Sequence, residues 1–68
     1  MKNVQVHYLE SDGRKGVINY LTAANTGLAE ATGDRQYAAR ERLLADALNI
    51  AFGWAKVFPE TQFFVEEV

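Results

Sequence analysis

Gly16-Val17-Ile18-Asn19-Tyr20-Leu21-Thr22-Ala23-Ala24, running on through Asn25-Thr26-Gly27 to Thr32, is the stretch on which the fold turns. Val17, Leu21, Ala24, Leu28 and Ala31 recur at the spacing that draws one apolar stripe along a helix, with Ile18 and Tyr20 beside it. Residues 17–22 also have the β-branched and aromatic composition of a strand. Asp12-Gly13 upstream is a hairpin dipeptide in form, and Asn25-Thr26-Gly27 weakens a helix interior. The helical reading is the expectation, and a strand is the alternative. The two choices predict different architectures, strand-helix-helix-strand or strand-strand-helix-strand.

The flanking segments are easier to read. Residues 3–10 alternate, with Val4, Val6 and Tyr8 on one side and Asn3, Gln5 and His7 on the other, as a half-buried strand does. Ser11-Asp12-Gly13 ends that strand with turn chemistry. Gly27 to Asp34 reads as a helix end, with Gly33 as a C-cap and Asp34 as the N-cap of the next helix. That second helix is expected from about Asp34 to Phe58, where Pro59 stops it. Residues 61–67 form a last strand, with Phe63 and Val65 on one face.

The long helix is unusually apolar over residues 43–58. Asp46, Asn49, Gly53 and Lys56 interrupt it, and at 100° per residue they occupy an arc of about 80°. A helix apolar on nearly every side is normally buried on nearly every side. Leu43, Ile50, Trp54 and Val57 make a bulky ridge, while Ala47, Ala51 and Ala55 make a narrow row through which a second helix could approach closely. A chain of 68 residues has little material to cover both, and with no cysteine it lacks the disulfides that often support small cores. The expectation is therefore an α+β domain spanning 1–68. Its small antiparallel sheet carries helices on one face and extends across a homodimer, with Ala47, Ala51, Ala55 and Trp54 as dimer or helix-packing residues.

Composition narrows function more than it identifies it. The apolar fraction of 49% and charged fraction of 24% suit a globular chain. The absence of cysteine suits a cytoplasmic protein. No leader-like core is visible at the N-terminus, and the apolar run is too short to span a bilayer. A net charge of −2 weighs against nucleic acid as a non-specific partner. One histidine and one serine, His7 and Ser11, lie at opposite ends of one short segment, which is a poor basis for a nucleophile and its base. No ligand pair at helical spacing or acidic loop points to a metal, and Asp12-Gly13-Arg14-Lys15-Gly16 lacks phosphate-loop spacing. The expected role is a non-enzymatic protein-interaction module without cofactor, an accessory or inhibitory subunit of a larger complex. Tyr37, Arg40 and Arg42 at the start of the long helix are its candidate contact residues, because tyrosine and arginine favour binding hot spots.

Asn3, Gln5 and His7 alternating along strand 1, followed by two helices, resemble the ribbon-helix-helix DNA-binding proteins, and Leu28-Ala29-Glu30-Ala31-Thr32-Gly33 resembles their helix-turn segment. The resemblance implies a dimeric regulator in which strand 1 pairs with its twin and Asn3, Gln5 and His7 read base edges. Lys2 is the only base on that ribbon, and the family pattern has no place for a strand at 61–67. The same turn, from Leu28 to Asp34, also resembles helical-hairpin connectors of tetratricopeptide proteins. A small-ligand-binding protein is the third reading.

Overall fold

The computed structural model describes residues 3–27 and 33–68. Its elements run β1 (Val4–Leu9), β2 (Lys15–Leu21), α1 (Arg35–Val57) and β3 (Gln62–Glu67). The alternative order, strand-strand-helix-strand, is the one adopted, and the helix expected from residue 16 is corrected to a strand. The reason lies at the hairpin. Glu10 N–H donates to Arg14 O at 2.7 Å and Gly13 N–H to Glu10 O at 3.0 Å, closing a loop of Ser11, Asp12 and Gly13. Gly13 has φ +92°, a backbone state that glycine reaches without a Cβ penalty and that this loop length requires.

Once the chain reverses there, residues 15–21 lie beside β1, and every backbone group that pairs with β1 is lost to a helix. The register pairs Val4 with Leu21, Gln5 with Tyr20 and His7 with Val17. It slips between Val6 and His7, so Ile18 is an extra residue in β2, a bulge of the kind that disfavours further pairing along an edge strand. The helical signal in this stretch begins only after the strand. Thr22 N–H donates to Asn25 Oδ1 at 2.8 Å and Asn25 N–H to Thr22 Oγ1 at 3.1 Å, a reciprocal pairing of the capping-box type. The turn over residues 23–27 ends at Gly27, with φ +75°. The remainder of the expected first helix, residues 28–32, lies outside the described residues.

Strand order is β2-β1-β3, and both pairings are antiparallel. The third strand comes from the chain itself, so the sheet has no need to cross a twofold axis to exceed two strands. The sheet expected to extend across a homodimer thus has three strands within one chain, with β2 and β3 at its edges. β1 is hydrogen-bonded on both sides, which leaves it no free edge for a twin. This is incompatible with the ribbon-helix-helix arrangement, in which strand 1 must pair across a dimer and remain exposed to the major groove.

The α1 boundaries agree with the sequence to within a residue. Asp34 occupies the N-cap position without a side-chain cap hydrogen bond, so the expected aspartate cap is corrected to a backbone start, with Gln36 N–H donating to Gly33 O at 3.1 Å. At the other end Phe58 N–H donates to Trp54 O at 2.8 Å, and Pro59 follows. The inner face of α1 covers one side of the sheet. Leu43, Ala47 and Ala51 meet Val4, Val6 and Leu21 in the buried core, with Leu44, Ile50, Phe63 and Val65 packed around it. Every large side chain of this core is aliphatic except Phe63. Alternation along β1 and β3 brings Val4, Val6, Phe63 and Val65 to this face, β2 adds Leu21, and α1 supplies Leu43, Leu44 and Ile50 from the other side.

Candidate interaction surfaces

Among the described residues, no helix lies on the opposite side of the sheet. Alternation places Gln5, His7 and Leu9 of β1 there, and register places Val17 and Phe64 on either side of His7, and Tyr20 and Glu66 on either side of Gln5. The His7 imidazole stacks on the Phe64 ring at a centroid distance of 4.9 Å and an interplanar angle of 11°. Its Nε2 lies 3.0 Å from Gln5 Oε1 and 3.2 Å from Glu66 Oε2. A hydrogen on Nε2 can be donated to either of these two acceptor oxygens. Across the face, Asn3 Nδ2 donates to the Tyr20 hydroxyl at 2.8 Å. Val17, Tyr20 and Phe64 are 45%, 46% and 44% exposed. The aromatic rings are thus held by polar neighbours while much of their surface stays in water.

A second exposed surface runs along the outer side of α1. Tyr37, Leu48 and Phe52 are 71%, 48% and 65% exposed, with Glu41 and Ala45 between Tyr37 and Leu48 and Lys56 one turn beyond Phe52. These positions follow one another at four, four, three, four and four residues, so they share one side of the helix.

Of the contact residues expected from sequence, Tyr37 and Arg40 are neighbours at i, i+3 and Arg42 lies apart from them. Tyr37 lies on the outer stripe. Arg40 points to the sheet end, where its Nη2 is 2.6 Å from Glu67 Oε1, with Glu41 Oε1 3.5 Å from Nη1. The hydrogen bond and negative charge of Glu67 raise the Arg40 pKa above its ordinary value. Arg42, two residues on and therefore about 160° away around the helix, lies 3.9 Å from Asp46 Oδ2.

The expected packing residues are placed differently again. Ala47 and Ala51 are buried against the chain's own sheet, which makes the small-residue row chiefly a helix-to-sheet contact. Ala55 is half-buried. Trp54 stacks on Phe58 and Phe63, with centroids 5.9 and 6.4 Å away, and its Nε1 donates to Asn19 Oδ1 at 2.9 Å. That bond ties the helix to edge strand β2. Trp54→Phe keeps most of the stacking and removes the donor, so a loss of about 1 kcal/mol in urea unfolding is expected. Asn19→Ala should lose a similar amount, and the double variant less than the sum of the two.

Sequence reasoning missed the open sheet face. Its signals were the i, i+2 spacing of Lys15 and Val17 in β2 and the alternation of Phe64 with Phe63 in β3, and a helical reading of residues 16–24 conceals the first of these. Two clefts flank the core. One of 280 Å³ lies at the hairpin end between Tyr8, Ile18, Phe58 and Phe63, and Glu10 beside it accepts the Thr61 hydroxyl at 3.0 Å. The other, of 560 Å³, lies between β2 and α1 and is lined by Asn19, Asn25, Asp46 and Asn49. Neither is lined by the single histidine, His7, or the single serine, Ser11. His7 meets Glu66 on the sheet face opposite α1, and Ser11 lines a further cleft of 290 Å³ with Glu10 and Glu60, so the two are not brought together. Among the described residues no group of three or more histidine, aspartate or glutamate side chains is arranged to hold a metal ion. No helix there is long and apolar enough to cross a membrane. Comparison with protein-family models, curated proteins and solved structures gives no match.

Proposed function

We propose that this chain is a non-enzymatic protein-interaction module, an accessory or inhibitory subunit whose open sheet face receives a partner protein and whose working unit is a homodimer. The observation that carries this reading is the held aromatic platform of His7, Phe64 and Tyr20. Rings already fixed by stacking and hydrogen bonds lose little side-chain freedom on binding, and tyrosine is among the residues enriched at hot spots. Lys15 and Glu66 occupy opposite corners of the face, since Lys15 pairs with Leu9 at the hairpin end and Glu66 pairs with Gln5 at the other. The matching partner surface is apolar at its centre, with an acidic group facing Lys15 and a basic group facing Glu66.

A nucleic-acid platform of stacked bases is disfavoured by the same arrangement. The Glu66 carboxylate stands beside the stack, where it repels phosphate, and the chain as a whole is acidic.

The test uses a photo-cross-linking residue at Val17, on the open face, and at Ser11, at the hairpin tip, in the protein's native cells. One specific protein adduct is expected from position 17, weak or absent from position 11, and lost when Phe64→Ala and Tyr20→Ala are added. Equal labelling from both positions, no protein adduct from either, or an adduct indifferent to the two aromatic rings would overturn the proposal.

A further inference from the structure

The outer stripe of α1 has a pattern that goes beyond exposure. Glu41, Ala45, Leu48, Phe52 and Lys56 fall within an arc of about 80° on the helix, and all five are exposed. Their order is acidic, small, aliphatic, large aromatic, basic. That order is complementary to its own reverse. Glu41 and Lys56 are equidistant from a point between Leu48 and Asn49, and so are Ala45 and Phe52.

We infer that this stripe is the dimer surface, pairing with the same stripe of a second copy in antiparallel orientation about a twofold axis that passes between Leu48 and Asn49. The inference rests on the homodimer part of the reading above and commits it to one face. In this arrangement Glu41 meets Lys56 of the second copy twice, and each Phe52 ring enters the space left by the small Ala45 side chain. Leu48 of the two copies fills the centre. A parallel pairing would set Glu41 against Glu41 and Lys56 against Lys56, so charge selects the antiparallel one. Arg40, 3.5 Å from Glu41, is also committed to Glu67, and Glu41 remains 71% exposed to receive a second cation. The core is untouched by such pairing, because Leu43, Ala47 and Ala51 face the sheet. The open sheet face is on the far side of the molecule, and both copies keep it available.

Sedimentation equilibrium of the full chain, over a concentration series in low salt, tests this. A dimer with a dissociation constant in the micromolar range is expected, as suits an interface of one helix face per copy. Phe52→Ala should weaken it by more than about tenfold, since truncating a central aromatic anchor commonly costs more than a factor of ten, while leaving the unfolding midpoint of the monomer unchanged. Glu41→Lys and Lys56→Glu should each weaken the dimer by about tenfold, through two like-charge contacts apiece. The double swap should restore it, and an equimolar mixture of the two single variants should prefer the mixed dimer. A dimer indifferent to Phe52→Ala and to the swaps would overturn this surface and leave the homodimer reading standing. Single swaps without effect but a strong Phe52 dependence would overturn the antiparallel register. A monomer at every concentration would overturn both surface and homodimer.

Discussion

Leu43→Ala is expected to leave the protein barely folded, with a loss of about 3–5 kcal/mol in urea or thermal unfolding. Leu43 is fully buried and is among the largest such side chains, with Val4 and Val6. It projects from α1 onto the centre of the sheet, where the core consists of one layer of side chains. Strands hydrogen-bonded to each other cannot collapse into the vacated space without breaking the ladder, so most of the cavity persists. A domain of this size has a total stability of about 3–10 kcal/mol. Loss of one leucine therefore consumes a large share of it, and circular dichroism should show a low, broad transition. A shift below about 1 kcal/mol would mean that the helix does not bear on the sheet at Leu43.

Ala47→Leu is expected to destabilise the fold by about 1–3 kcal/mol, through overpacking instead of a cavity. Ala47 is fully buried in the same cluster as Val4, Val6 and Leu43, and its single methyl group sets how closely α1 approaches β1. A leucine there must lift the helix or twist its own side chain out of a staggered rotamer, and lifting the helix loosens Leu43 and Ala51 as well. The unfolding midpoint should fall at all protein concentrations. If Ala47 instead mediated contact between helices of two copies, the monomer would keep its stability and only association would change. Phe52→Ala on the outer stripe is the opposite case: little effect on unfolding of the monomer and a large one on association.

The contrast between Ala47 and Phe52 marks where sequence reading stopped. From the sequence α1 has two apolar sides of comparable strength, and nothing local says which one the sheet covers. The Ala47/Ala51/Ala55 spacing has the same appearance whether a helix or a sheet approaches it, because both need small residues for close contact. A lone exposed Phe52 and a buried Leu43 differ in partner and not in periodicity. Likewise Arg40 and Arg42 look alike in sequence, yet one reaches Glu67 at the end of β3 and the other reaches Asp46 on its own helix. The open sheet face was hidden for a related reason. Val17 and Tyr20 belong to it only once residues 15–21 are a strand, and His7 acquires Phe64 and Glu66 as neighbours only through the pairing of β1 with β3.

By itself the sequence determined the elements whose signals are local: the alternation of β1, the Asp12-Gly13 turn, the long helix ending at Pro59 and the closing strand through Phe63 and Val65. Each follows from backbone preference and side-chain period within a few residues. The tertiary structure alone decided that residues 15–21 are a strand and that the aliphatic and alanine side of α1 faces inward. For residues 15–21 helical and strand periodicities nearly balance, and that balance is tipped by partners far along the chain. Leu21 finds Val4, and Asn19 finds Trp54, 35 residues away. Burial and hydrogen bonds between such distant residues are realised only when the whole sheet is assembled, so no window of sequence contains them.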